Sequence, residues 1–78
     1  MNFLKEKVQK YHEKKLRDAK EKLRLHTEIK NQLERRLKTI ESEQSNDVKK
    51  KIEKQTEFIE IWKNNIDSIN KQIKKLKS

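Results

Sequence analysis

The chain is expected to be all-α: two helices folded into an antiparallel coiled-coil hairpin. Three observations carry this expectation. The 78 residues include no Gly, Pro or Cys, and 45% are charged, so the two strongest helix breakers are missing while good helix formers abound. In the second half, nine positions recur at an unbroken 4-3-4-3 spacing: Val48, Ile52, Gln55, Ile59, Trp62, Ile66, Ile69, Ile73 and Leu76. That 3.5-residue period marks a helix supercoiled against another helix. The first half carries a similar stripe at Leu16, Ala19, Leu23, His26, Leu33, Leu37 and Ile40, with Lys30 at a seam site beside Ile29. Low hydrophobicity with high net charge would otherwise suit a disordered chain, but disordered chains do not space isoleucines at 4-3.

The first helix is expected over about Asn2–Glu41, its stripe drifting toward Leu4, Val8 and Tyr11 at the N-terminus. A turn is expected over about 42–47. Ser, Asn and Asp gather there, and these residues disfavour helix interiors and cap helix starts. The second helix then runs over about Asp47–Lys77. Between Leu37 and Ile52 lie 15 steps, one more than two heptads, a phase slip that a hairpin explains. Facing seam positions in an antiparallel pair should have numbers with a constant sum. They add to 88 or 89 if Ile40 meets Val48, Leu37 meets Ile52, Leu33 meets Gln55, His26 meets Trp62, Leu23 meets Ile66, Ala19 meets Ile69 and Leu16 meets Ile73. In that register the Trp62 indole N–H would look to His26 or Thr27 for an acceptor. The competing architecture is one uninterrupted helix of about 110 Å.

With Ile52 and Leu23 taken as heptad a positions, Leu25, Ile29, Phe58 and Ile61 fall at c and g. The g sides of an antiparallel pair face the same way, so these four should form one lateral patch. Leu4, Val8 and Tyr11 lie at c and g too and should extend it. The opposite flank, at b and e, is charged. A hairpin apolar on one flank and charged on the other is half of a bundle. Dimerisation into a four-helix bundle through Leu4, Val8, Tyr11, Leu25, Ile29, Phe58 and Ile61 is therefore expected, against the plainer reading that these are scattered exposed apolar residues.

Catalytic classes find no support. His12 and His26 stand fourteen residues apart, and neither recurs with carboxylates at ligand spacing. No Gly is present for a phosphate loop. Ser42, Ser45, Ser68 and Ser78 have no His within a helical turn. The expectation is a non-enzymatic protein without metal or cofactor. Absence of Cys fits a reducing compartment. With no apolar run of membrane-spanning length and no signal peptide visible over Met1–Lys10, a cytoplasmic location is expected.

Net charge is +9 and the pI near 9.9, a balance that favours polyanions. Basic residues gather at the open end and at the loop end, with a mixed waist between. Lys10, Lys14, Arg17, Arg24, Lys71 and Lys74 are the candidate nucleic-acid contacts. Only Tyr11 and Phe3 offer rings near the poles, so backbone-directed binding is expected rather than base stacking. The plainer reading is a solvated coiled coil whose like charges are screened by salt. Two functions stay open: a nucleic-acid-binding accessory protein acting as a homo-oligomer, or an adaptor or inhibitor, of the kind mobile elements carry, that docks a protein surface through its apolar flank. A membrane-surface helix is the weaker reading, because helix pairing already uses the apolar faces.

Overall fold

A computed structural model describes residues 3–77; the expected helix start at Asn2 lies outside them. Helix α1 spans Phe3–Leu37 and helix α2 spans Ser42–Lys77. The chain measures 63 × 14 × 13 Å. A single helix through the same residues would be about 110 Å long, so the chain is folded back on itself as a hairpin.

The turn lies earlier than the composition suggests. Helix α1 stops at Leu37 and the connection is Lys38–Glu41, while Ser42–Asp47, expected as the turn, is helical. The last carbonyls of α1 are taken up locally. Lys38 N–H reaches the Arg35 carbonyl at 3.2 Å, and Thr39 and Ile40 N–H reach the Arg36 carbonyl at 3.0 and 3.2 Å. The Thr39 hydroxyl donates to that same carbonyl at 3.0 Å. Helix α2 opens with Gln44 N–H on the Glu41 carbonyl at 3.1 Å. Ser45, a cap candidate, instead bonds back to the Ser42 carbonyl at 2.8 Å, satisfying its hydroxyl inside the helix. Glu43 sits in the first turn, where the helix dipole favours negative charge. No described residue needs a positive φ, which is how the reversal dispenses with glycine.

All nine α2 seam residues are buried or half-buried, and so is every member of the α1 stripe from Leu16 to Ile40. Ala19 and Val48 are the most enclosed, at 2% and 4% exposure. The faces are as expected, but the register is not. His26 Nδ1 lies 2.7 Å from Gln55 Oε1, a pair whose numbers add to 81 and not to 88 or 89. Ala19 lines one notch together with both Trp62 and Ile69. His26 also stacks on Phe58 at 4.9 Å, a pair whose numbers add to 84, so the helices are slid by about one to two turns from the expected alignment, in the direction the early turn requires. The N-terminal part of α1 supports this: Gln9 and His12 are half-buried, whereas Leu4, Val8 and Tyr11 are exposed. The seam does not drift onto those three residues; it stays in phase and leaves them outside.

The largest seam side chain and the smallest line the same notch. Ala19→Leu should lower stability by about 1–3 kcal/mol through overpacking, and Trp62→Ala in the same chain should recover much of that loss. A double-mutant cycle in urea unfolding checks it: rescue by Ile69→Ala and none by Trp62→Ala would restore the other register.

Candidate nucleic-acid interface and apolar flank

Two faces of the hairpin are distinct in chemistry. On the charged side, Lys10, Arg17 and Lys74 occupy b positions, and Lys14 and Lys71 occupy f positions. The register brings Lys71 level with Lys10, so basic side chains of both helices converge at the open end. All five are exposed. Arg24 departs from this group. Its guanidinium donates to Glu21 through Nη2 at 2.5 Å and Nε at 3.3 Å, and to Glu28 through Nη1 at 2.7 Å. The Arg24 hydrogen bond, then its charge, hold the Glu21 carboxyl below the usual range. The Glu21 hydrogen bond and the charges of Glu21 and Glu28 hold the guanidinium correspondingly up. Arg24 is thus a waist residue held between two carboxylates of its own helix. The i–3 and i+4 spacing of Glu21 and Glu28 around it is the sequence signal for that pairing.

The other flank is apolar but divided. Leu25 and Ile61 are exposed, at 42% and 53%, while Ile29 and Phe58 are half-buried. The Phe58 ring stacks on His26 with centroids 4.9 Å apart, which ties α2 to α1 within this cluster. Leu4, Val8 and Tyr11 form a second cluster nearer the open end. Lys15 lies over the Tyr11 ring at 5.2 Å, and Tyr11 meets His12 edge-on at 5.5 Å. The two clusters do not join. Between them is a notch of about 290 Å³ lined by Lys15, Asp18, Ala19, Trp62, Asn65, Ser68, Ile69 and Gln72. The notch exists because Ala19 leaves room beside Trp62. Its signal in the sequence is the one small residue in the α1 stripe, which becomes meaningful only once the register is known.

Within the seam, His26 and Gln55 form a polar pair, the ring N–H donating to the amide oxygen. His12 Nδ1 is enclosed with no hydrogen-bond partner. Among the described residues, no group of three or more His, Asp or Glu is placed to hold a metal, and no helix is long and apolar enough to cross a membrane.

The chain matches no protein-family model, no curated protein and no solved structure. What the faces do is therefore read from their geometry.

The polar pair predicts an asymmetric response to substitution. Gln55→Leu alone leaves the half-buried His26 N–H without its acceptor and should destabilise the hairpin by about 0.5–1.5 kcal/mol. Replacing His26 and Gln55 together by Leu should be neutral or stabilising, because no polar group is then left unpaired. Thermal midpoints of the two variants decide it; a double variant no better than the single one would mean the bond does not bridge the helices.

Proposed function

We propose that this protein binds nucleic acid through the phosphate backbone, as a homo-oligomer, using the cationic open end. The convergence of Lys10, Lys14, Arg17, Lys71 and Lys74, exposed and drawn from both helices, is the observation that carries the reading. Five such cations on one end of a hairpin 14 Å wide match the dense charge of a duplex or of folded RNA, and each contact would release condensed counterions. Short of aromatic rings for stacking, the pole holds phosphates without reading bases, so binding is sequence-tolerant. The apolar flank supports the oligomeric part, because exposed clusters of this kind mark association surfaces. Exposure of Leu25 and Ile61 together with Leu4, Val8 and Tyr11 also favours a second reading, an adaptor or inhibitor that seats a protein partner on that flank.

Salt separates the two. Affinity for duplex DNA should fall with salt, with a slope of log K against log salt of about −0.9 per phosphate neutralised. Lys10→Glu with Lys74→Glu should weaken binding alike on all sequences and flatten that slope by about two units. If the protein fails to retard either duplex DNA or structured RNA at low salt and micromolar concentration, the nucleic-acid reading falls and the adaptor reading leads.

A further inference from the structure

The apolar flank of α1 reads almost the same in both directions. Its c and g positions run Val8 and Tyr11, then Lys15, Asp18 and Lys22, then Leu25 and Ile29. Asp18 is the centre, flanked by a lysine and then an apolar pair on either side. The f positions, which border this stripe on its outer edge, invert about the same centre: Lys7 and Lys14 on one side, Glu21 and Glu28 on the other. On α2 the f row does likewise, with Glu57 toward the waist and Lys71 toward the open end. The notch lies at this same level, lined by Asp18 of α1 and by Asn65 and Ser68 of α2.

We infer that the flank is covered by a second copy of this chain, packed antiparallel, with the two-fold axis passing beside Asp18. A stripe symmetric about its middle is what an isologous contact needs, since each residue must meet the mate of the residue it pairs with. In this arrangement α1 lies along the second copy's α1. Tyr11 sets on the second copy's Leu25, and Val8 on its Ile29, in both directions at once. The two separated apolar clusters of one chain are thereby both covered by a single partner. Phe58 and Ile61 lie beside the short polar side chains at the second copy's notch, where the two hairpins come closest.

The f-row charges favour this orientation, although Glu21 and Glu28 already share Arg24 and at the axis Asp18 faces the second copy's Asp18 between lysines. Antiparallel packing brings Lys7 level with the second copy's Glu28, Lys14 with its Glu21, and Lys71 with its Glu57, on the rim where such pairs set direction. Parallel packing, α1 against the second copy's α2, would instead set Lys14 near Lys71 and Glu28 near Glu57. The area is also sufficient. The exposed parts of Leu4, Val8, Tyr11, Leu25 and Ile61 amount to on the order of 500 Å² per copy, so covering them in both copies reaches the ~1,000 Å² floor of a specific interface before any rim contact is added. A heterologous protein would need to reproduce the inversion of charge; a second copy has it already.

This inference rests on the self-association part of the reading above and not on nucleic-acid binding, which Lys10→Glu and Lys74→Glu test separately from the b positions. The chain has no Cys, so single cysteines report cleanly. Asp18→Cys, at an exposed position on the axis, should give a disulfide-linked dimer on mild oxidation. Tyr11→Cys and Leu25→Cys should each stay unlinked alone and link to one another when mixed. Sedimentation of the unmodified protein should give twice the chain mass at micromolar concentration, and circular dichroism confirms that each variant is folded. A monomer in sedimentation overturns the dimer. A dimer in which Asp18→Cys stays unlinked, or in which Leu25→Cys links to Ile61→Cys of another chain and not to Tyr11→Cys, keeps self-association and overturns the antiparallel axis.

Discussion

His26 and Gln55 meet inside the seam, and the 2.7 Å contact between them fixes how far one helix is slid along the other. An apolar heptad seam does not do this by itself. Sliding by seven residues returns every a and d position to another a or d position, so the isoleucines of α2 fit a slipped partner nearly as well. A polar pair breaks that degeneracy. In the expected alignment Gln55 would face Leu33 and the His26 ring would face Trp62, and the half-buried pair would lose its hydrogen bond, worth about 0.5–1.5 kcal/mol. Polar residues at seam sites characteristically trade some stability for a defined register. Ala19 beside Trp62 in one notch adds a steric argument in the same direction, because it gives the largest seam residue room next to the smallest.

Every surface feature inherits that register. Lys71 comes level with Lys10, which makes the open end a joint product of both helices. Phe58 stacks on His26, across the seam from its own helix. The notch opens at Ala19 because a wide ring occupies one side of it and a methyl group the other. None of these juxtapositions lies in either helix alone.

The parts of this fold legible in the sequence were those carried by period. The two helices, their inward faces and the lateral position of Leu25, Ile29, Phe58 and Ile61 all follow from spacing at 3 and 4. What was not legible is what period leaves undetermined. The constant-sum test is satisfied equally by registers seven apart, so the choice fell to the turn. Turn chemistry misled, because Ser42, Ser45, Asn46 and Asp47 are residues that cap helices and also residues that a first turn accommodates. The actual reversal, Lys38–Glu41, uses no Gly, Pro or Asn to announce itself. The ion pairs of Arg24 were missed for a different reason: a count of cations along a flank ignores carboxylates one turn away on the same helix, here Glu21 and Glu28.

The two proposed activities overlap in the f row, where Lys14 and Lys71 serve either, and part company in the b row. An antiparallel second copy would engage Lys7, Lys14 and Lys71, all at f positions bordering the apolar flank. Lys10, Arg17 and Lys74 sit at b, around the helix from that flank, and would stay turned outward. Pairing Lys71 with Glu57 would also offset acidic charge at the waist that otherwise repels phosphate. Because the copies run antiparallel, one b-row cluster would stand toward each end of the assembly. Each chain would then bring a short row of cations to a shared, elongated particle whose multivalency, rather than any single contact, sets its hold on a polyanion.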